Sequence, residues 1–416
     1  MRMVKYLKKQ LGFLVIVCMV SSFNIFSEVI IIPPSENSQD RLQEALILAN
    51  PGDTIQLTSG VYNLEDSISL DVDNIIINGD GHEYTILNFS NQKSGAQGLM
   101  VTSDNVTLRD FAVLDAKGDA IKVKGSDGIS FINIRTEWSG GPKSTNGAYG
   151  LYPVESKNVL IDGCIAIGAS DAGIYVGQSE NIIVRNSIAK FNVAGIEIEN
   201  SYYADVYSNT AEDNTGGILV FDLPGLPQQG GHDVRVFGNL IQSNNTDNFA
   251  PEGNIVGEVP RGTGIIIMAN SNIEIFDNQI QNHETLGIAV VSYINDDDSG
   301  DYSDSGYYPH PRSVQIHDNS ISGSGDNPDL DKEIASILFE ISDGEMPDIF
   351  WDGVLPFRQM LLGQPDEDKL VLKDNGDIKI AVMNPIRYML SLPNQLNRDH
   401  SDYEGKIQPL SPVVID

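Results

Sequence analysis

Six short segments of the chain share one pattern, a glycine followed by alternating apolar residues, and they recur at a nearly fixed interval. The glycines are Gly150, Gly173, Gly195, Gly217, Gly264 and Gly287, separated by 23, 22, 22, 47 and 23 residues. A fixed period of about 20 to 50 residues is typical of stacked repeat architectures, in which each repeat contacts its two neighbours. The pattern therefore predicts which side chains line up from one repeat to the next.

Each repeat is expected to hold two or three short strands. Apolar residues fall at every second position and many are β-branched, which favours strands over helices. A second strand in the repeat opens with an asparagine, as at Asn105, Asn158, Asn181 and Asn272. Asparagine tolerates the left-handed backbone conformation of a turn, and it can bond to its counterpart in the next repeat.

Such a repeat cannot bury its own apolar face, so we expect the repeats to stack with parallel strands about 4.8 Å apart. The predicted fold is an all-β, right-handed parallel β-helix, a single-stranded solenoid. Its interior would contain a column of isoleucines, namely Ile174, Ile196, Ile218, Ile265 and Ile288.

The first 27 residues are predicted to be a secretory signal peptide. Four basic residues precede an apolar run over residues 11–20, and small polar residues follow as far as Ser27. We expect cleavage after Ser27, with Ser22 as the second choice. The apolar run is shorter than a membrane span requires, so the chain is predicted to be exported, to the periplasm or the extracellular medium, without a membrane span.

The chain is strongly acidic, with a formal net charge of −32 at pH 7. Removal of residues 1–27 leaves 22 basic and 58 acidic residues, a formal net charge of −36. Such a charge repels nucleic acid and anionic lipid, so neither is an expected partner. The oligomeric state is left open.

The ends of a β-helix expose strand edges that must be covered. A helix over Asp40–Asn50 is predicted, because apolar residues recur at helical spacing before Pro51-Gly52. The predicted organisation is an N-terminal cap at 28–52, the β-helix at 53–325 with insertions near 222–261 and 292–311, and an irregular C-terminal region at 326–416. That last region is expected to cover the final coil and to pack along the side.

Three short runs suggest a family. They are Leu-Gln-Glu-Ala at 42–45, Pro-Gly-Asp-Thr-Ile at 51–55 and Gly-Val-Tyr at 60–62. With the repeats, they resemble the secreted right-handed β-helix proteins, which include pectate-type lyases, alginate lyases, mannuronan C5-epimerases and the accessory proteins of nitrous oxide reductase. The resemblance covers roughly residues 40–325. It implies the fold rather than an activity, because this scaffold hosts several chemistries.

One stretch, residues 149–155, resembles the epimerase motif Tyr-Gly-Phe-Asp-Pro-His-Glu. The matching positions are Tyr149, Gly150, Pro153 and Glu155. Tyr152 and Val154 stand where the epimerases carry their catalytic Asp and His. Because valine does not titrate, epimerase activity of the known type is not expected. Residues 147–154 are more similar to a group of exported bacterial β-helix repeat proteins of unknown function, thought to be paired with a second exported protein.

Side chains alternate between the two faces of a strand, so the residues between the buried ones form outward columns. The first predicted column is Lys122, Tyr152, Tyr175, Glu197, Leu219 and Ile266, and the second is Lys124, Val154, Gly177, Glu199, Phe221 and Met268. Tyr149, Trp138, Lys143 and Glu155 are expected to border this lateral face. Aromatic rings stack on pyranose faces, and lysine and glutamate bind hydroxyl or carboxylate groups.

The leading hypothesis is that this lateral face binds carbohydrate or a partner protein, without established catalysis. An alternative is a polysaccharide lyase or C5-epimerase-like enzyme, with Tyr149, Tyr152 and Tyr175 as acid or base and Lys122 neutralising a carboxylate. Substrate contacts are then expected from Lys124, Trp138, Lys143, Glu155, Glu197 and Glu199. A third hypothesis is a structural role in assembly with another exported protein, and the face could also simply underlie the 222–261 insertion. The net charge favours a neutral glycan or a protein over a polyuronate.

An acidic insertion near residue 300 contains the one predicted metal site. Asn295, Asp297 and Asp301 fall at the first, third and seventh positions of a calcium loop. The twelfth position is Gly306, where such loops carry a bidentate glutamate. Calcium is therefore the candidate cofactor, and no other is predicted.

Overall fold

The computed structural model describes residues 27–294 and 307–415, and these form a stack of coils built from short strands. A typical coil contributes one strand to each of three sheets that run along the molecule. The isoleucine repeats all lie in one of them, sheet 2, and they set its register. The predicted signal peptide, apart from Ser27, and the predicted calcium ligands lie outside the described residues.

The strands are given sheet by sheet. Sheet 1 contains β1 (Val29–Ile32), β2 (Thr54–Leu57), β5 (Ile76–Asn78), β8 (Val106–Arg109), β11 (Asp127–Ile132), β14 (Lys157–Asp162), β17 (Glu180–Arg185), β20 (Tyr202–Tyr207), β23 (His232–Phe237), β26 (Ser271–Phe276), β29 (Arg312–His317) and β32 (Val371–Lys373). Sheet 2 contains β4 (Asp66–Leu70), β7 (Ser94–Val101), β10 (Asp119–Lys124), β13 (Tyr149–Val154), β16 (Ala172–Gly177), β19 (Ala194–Glu199), β22 (Gly216–Phe221), β25 (Thr263–Met268), β28 (Leu286–Val291), β31 (Ile349–Trp351), β33 (Ile380–Met383) and β34 (Leu396–Asn397). Sheet 3 contains β3 (Gly60–Asn63), β6 (Thr85–Asn88), β9 (Ala112–Leu114), β12 (Arg135–Glu137), β15 (Ile165–Ile167), β18 (Ile188–Lys190), β21 (Thr210–Glu212), β24 (Leu240–Gln242), β27 (Gln279–Gln281) and β30 (Ser320–Ser322).

The interior is an aliphatic core, and the predicted isoleucine column is confirmed. The register pairs Ile174 with Ile196, Ile218, Ile265 and Ile288 in turn along sheet 2. All five are fully buried. Burial of one such side chain contributes about 1.5–3 kcal/mol. The stacked isoleucines therefore stabilise one strand register, and a shift of one residue would expose them.

Two ladders of asparagine side chains hold the corners of successive coils together. One contains Asn209, Asn239, Asn278, Asn319 and Asn375, and the other contains Asn192, Asn214 and Asn244, followed by His283. Each amide donates to a main-chain carbonyl within the stack, and each except the last in its ladder also donates to the side-chain oxygen of the next asparagine. Asn244, the last asparagine of the second ladder, contacts His283 Nε2 instead. The predicted asparagine bonding between repeats is confirmed. The strand-opening asparagines predicted to be left-handed, such as Asn158 at φ 52°, are so.

A helix covers the N-terminal end of the stack. Helix α1 (Ser38–Leu48) buries Leu42, Ala45 and Leu46 against the first coils. The helix begins two residues before the predicted start at Asp40 and ends two residues before the predicted end at Asn50. Strand β1 precedes it and pairs in parallel with β2, so the cap region also contributes to sheet 1.

The C-terminal region differs from the irregular cover expected after residue 325. Strands β31 and β33 continue sheet 2, and β32 continues sheet 1. The prediction ended the stack too early because these coils lack the Gly-Ile pattern and are interrupted by helices. The helices are α2 (Glu333–Ile341), α3 (Phe357–Leu362) and α4 (Pro385–Met389), with short 3₁₀ turns at Asp366–Asp368 and His400–Tyr403. Within the described residues, no helix is long and apolar enough to cross a membrane.

The asparagine ladders provide a test of the stack. In Asn239→Ala, the side-chain amide and the main-chain N–H of Asn209 both lose the Asn239 oxygen as an acceptor. The Val206 carbonyl loses the Asn239 amide as a donor, and the site is buried. We expect the free energy of unfolding to fall by about 2–4 kcal/mol. Chemical denaturation measures the change, with Asn91→Ala in an exposed turn as the control. A loss below about 0.5 kcal/mol in Asn239→Ala would contradict a stabilising role for the ladder.

Candidate functional site

The predicted outward columns are present on the lateral face of sheet 2. Lys122 pairs with Tyr152 across β10 and β13, and Tyr175 pairs with Glu197 across β16 and β19. The column continues through Leu219 to Ile266. The second column follows the predicted order from Lys124 to Met268. The face thus changes from basic to aromatic, then acidic, then apolar along the stack.

Three tyrosine rings meet in the middle of this face. The ring centroids of Tyr149 and Tyr152 are 4.3 Å apart, those of Tyr149 and Tyr175 are 4.6 Å apart, and those of Tyr152 and Tyr175 are 5.0 Å apart. Tyr175 is buried, whereas Tyr149 and Tyr152 are half-buried. The ammonium group of Lys122 lies 4.4 Å from the centre of the Tyr152 ring, within the range of a cation–π contact.

Carboxyl groups line the inner side of the tyrosine cluster. The Tyr175 hydroxyl donates to Glu199 Oε1 at 2.7 Å, and Gln178 Nε2 donates to the same oxygen at 3.1 Å. Nearby, Asp171 Oδ2 accepts from the Tyr149 hydroxyl at 3.3 Å and from Asn254 Nδ2 at 3.1 Å. Asn254 belongs to the 222–261 insertion, so the insertion itself contributes to the site.

Glu197 is the most deeply buried acid of the cluster. Its side chain is 1% exposed, and Oε2 has no protein hydrogen-bond partner. Burial first, and then the neighbouring Glu199 and Asp171 carboxylates, hold the pKa of Glu197 well above its usual range. The neutral form of Glu197 is therefore favoured over the charged form. Because its side chain is almost fully buried, Glu197 is not placed to contact a ligand directly.

Two aspartates of the cluster titrate near neutral pH. Burial raises the pKa of Asp119 to about 6, although Lys122 and the main-chain N–H of Tyr149 favour its charged form. Burial and the nearby Glu199 raise the pKa of Asp171 to about 7, against hydrogen bonds from Tyr149 and Asn254. Groups of this kind can hold or release a proton at physiological pH.

The three tyrosines keep their hydroxyl protons at neutral pH in this environment. Burial, and then the Asp119 carboxylate, raise the pKa of Tyr152 to about 12. The pKa values of Tyr149 and Tyr175 are also raised, by burial and by Asp171 and Glu199 respectively. A tyrosinate base needs a lowered pKa, so the structure does not favour the predicted role of these tyrosines as bases. Their neutral hydroxyl groups remain hydrogen-bond donors.

The remaining predicted contacts fall into two groups. Lys124 pairs with Glu155 at 3.3 Å on the exposed surface, and Lys143 is exposed on the loop before β13. Trp138 is different, because it is buried in the main core and donates from Nε1 to the Ala116 carbonyl at 2.7 Å. Trp138 therefore does not border the open face as predicted, since its ring fills the space under the 139–148 loop.

Sequence reasoning missed Asp119, Asp171 and Asn254. A signal existed for Asp119, because it lies two residues before the buried Ile121, as Tyr149 does before Leu151. Extending the repeat alignment by two residues places them side by side. No comparable signal existed for Asn254, which reaches the site from an insertion with no repeat pattern.

The apolar end of the face lies under the 222–261 insertion, as one of the hypotheses from the sequence predicted. Leu219 and Phe221 are buried in a second hydrophobic cluster together with Val256 and Val259 of the insertion, and Leu338 of α2 belongs to the same cluster. An open cleft of about 350 Å³ remains between the insertion and α2. Its lining is mainly aliphatic and aromatic and includes Ile266 from sheet 2.

Metal binding finds no support in the described residues. Within residues 27–294 and 307–415, no three His, Cys, Asp or Glu side chains are grouped so that they could hold a metal ion. On the lateral face, Glu199 and Asp171 accept hydrogen bonds from tyrosine hydroxyl and side-chain amide groups. The calcium prediction concerns residues outside the described part of the chain and stays a prediction.

A protein-family match agrees with the coil geometry. The family model for the right-handed β-helix region matches residues 73–225. Among solved structures, the A-module of a mannuronan C-5 epimerase from Azotobacter vinelandii is 16% identical, over 78% of this chain and 86% of that one, with a TM-score of 0.45. An alginate lyase from a Paenibacillus species is also 16% identical, over 72% and 95%, with a TM-score of 0.44.

A family 28 exopolygalacturonase from Yersinia enterocolitica is 10% identical over 85% of this chain and 70% of that one, with a TM-score of 0.42. No protein with a curated description matches the chain in sequence. The right-handed parallel β-helix predicted from the glycine repeat is confirmed by the coils and by the family match.

The raised pKa of Asp171 predicts how stability depends on pH. The folded state binds its proton more tightly than the unfolded chain, whose aspartate titrates near 3.8. The contribution to stability is therefore present at low pH and is lost as the pH rises through about 7. We expect the free energy of unfolding to fall by an amount on the order of 2 kcal/mol between about pH 5.5 and 8.

Urea denaturation across this range measures the effect. In Asp171→Asn the pH dependence should be smaller, whereas the exposed control Glu36→Gln should keep it. An unchanged pH profile in Asp171→Asn would show that Asp171 titrates normally in the folded protein.

Proposed function

We propose that this protein binds carbohydrate on the lateral face of sheet 2, around Tyr152. The observation that carries the proposal is the half-buried Tyr152 ring, held between Lys122 and Tyr149 with the acids behind it. A fixed aromatic ring beside hydrogen-bonding groups is the arrangement that recognises a pyranose, whose apolar face stacks and whose hydroxyl groups bond. The exported protein would bind the carbohydrate in the periplasm or outside the cell.

The charge of the site supports a neutral glycan. Glu197 is held neutral, while Asp119 and Asp171 are partly protonated near pH 7. Carboxyl groups in this state can donate to a hydroxyl group as well as accept from it. A polyuronate would instead meet an exported chain of formal net charge −36, with Lys122 as the cation in contact with Tyr152. Electrostatic repulsion between like charges disfavours that ligand.

A catalytic role is a second candidate, and the pKa of Asp119 favours it. Asp119 lies near Lys122 and carries a pKa of about 6, which suits proton transfer near neutral pH. In that case a carboxyl group, rather than a tyrosine, would serve as the acid or base. A lyase of this kind would lose turnover in Asp119→Asn, measured by release of new unsaturated chain ends, and an epimerase would lose C5 inversion, measured by proton NMR of the glycan. In both cases the variant should keep its affinity for the glycan.

Tyr152→Ala tests the binding proposal. Loss of the stacking ring should weaken the affinity for a neutral glycan at least about tenfold in isothermal titration against a panel of neutral and acidic oligosaccharides. The exposed Tyr84 lies in the turn before β6, so Tyr84→Ala is the matched control and should bind normally. Equal affinities of the two variants, or binding of acidic oligosaccharides alone, would contradict the proposal.

A further inference from the structure

The C-terminal segment 407–415, called here the tail, crosses the outer face of sheet 1 without joining any sheet. Its hydrogen bonds are Gln408 N–H to Gln315 Oε1 at 2.5 Å, Leu410 N–H to Glu274 Oε2 at 2.9 Å, Val413 N–H to Asp205 Oδ2 at 3.1 Å, Gln315 Nε2 to the Gln408 carbonyl at 2.9 Å and Arg235 Nη1 to the Leu410 carbonyl at 3.4 Å. Every one of these bonds uses a main-chain atom of the tail. The surface therefore recognises an extended backbone rather than particular side chains.

The groups that hold the tail form one outward column. Asp205, Arg235, Glu274 and Gln315 occupy the same register position on β20, β23, β26 and β29. Although they point away from the core, Asp205 is only 4% exposed and Glu274 only 3%. Asp205 and Arg235 also pair at 3.1 Å. The column is thus a row of buried polar groups that the main chain of the tail helps to satisfy.

The spacing of the tail matches the spacing of the coils. Ile407, Leu410 and Val413 are half-buried at intervals of three residues, with Pro409 and Pro412 between them, and Ile415 is also half-buried. An extended proline-containing chain repeats every three residues and advances about 3.1 Å per residue, or about 9.3 Å per repeat. Two coils of the stack span about 9.6 Å. The amides of Leu410 and Val413 accordingly bond to β26 and β20, which are two coils apart.

The surface continues beyond the tail as a polar trough of about 420 Å³. Its lining comprises Asn105, Val106, Thr107, Asp127, Gly128, Ser130, Asn158 and Asn181, with Val414 and Ile415 at one end. The charged side chain in this lining is Asp127. A chain that runs further along the surface would meet hydrogen-bonding groups and one negative charge, which suits polar or cationic side chains.

We propose that the outer face of sheet 1, from β29 to β8, is a binding groove for an extended, proline-containing segment of another protein. The tail occupies the part of the groove over β20 to β29 as an intramolecular competitor. A partner segment would bind this groove more favourably than the tail does, because its additional polar or cationic side chains would fill the polar trough. This groove lies on a different sheet from the glycan site, so the two proposals stand independently.

A labelled synthetic peptide tests the groove. The peptide carries the sequence of residues 406–415 followed by Ser-Lys-Ser, and its binding is measured by fluorescence anisotropy. The acceptor is the full chain with Leu410→Asp and Val413→Asp, which weaken its own tail. We expect this variant to bind the peptide at least about tenfold more tightly than the unchanged chain, whose tail competes at high effective concentration. Adding Glu274→Ala should reduce the binding again.

The unchanged chain supplies an independent measurement. Excess peptide should displace the tail and speed the hydrogen exchange of the Gln408, Leu410 and Val413 amides. A single cooperative unfolding transition in the tail-weakened chain would establish that the acceptor is folded, even if its midpoint is lower than that of the unchanged chain. Failure of the folded acceptor to bind the peptide, together with unchanged exchange of the tail amides, would overturn the proposal.

Discussion

The in-register stacking of parallel coils is the constraint on which the rest of the structure depends. Each coil buries its aliphatic residues only if the next coil presents the same residues at the same height, as Ile196 does between Ile174 and Ile218. The buried asparagines impose the same condition more strictly, because an unpaired amide in the core costs about 1–3 kcal/mol. A slip of one residue would turn both columns outward.

The same register builds the surfaces. Because inward positions are fixed, the residues between them must form straight outward columns, whatever their chemistry. On sheet 2 this brings Lys122, Tyr152 and Tyr175 together with acids, and on sheet 1 it lines up Asp205 with Glu274. Two surfaces of different character thus arise from one packing rule. The first buries ionisable groups beneath aromatic rings and the 222–261 insertion, and the second follows an extended chain.

Burial decides the chemistry of the lateral face. The acids and tyrosines of the site would titrate normally on an open strand, but the 222–261 insertion and the neighbouring rings exclude water from them. As a result Glu197 favours its neutral form, Asp171 and a smaller fraction of Asp119 are protonated near pH 7, and the tyrosines keep their protons. The face therefore carries less negative charge than its sequence indicates, and its groups form hydrogen bonds. This reduced charge is the basis for proposing a neutral sugar, rather than a charged one, as the ligand.

The sequence by itself determined the stack, its inward isoleucines, its left-handed asparagines and the order of the outward columns, because all of these follow from a repeat of fixed length. Tertiary structure alone decided what covers those columns. Asn254 reaches Asp171 from an insertion, and Trp138 turns into the core instead of the open face. The tail crosses sheet 1 to bond with Asp205, 208 residues away in the chain. Such contacts lie outside any period in the sequence, since they depend on where irregular segments find unsatisfied polar groups and apolar surface.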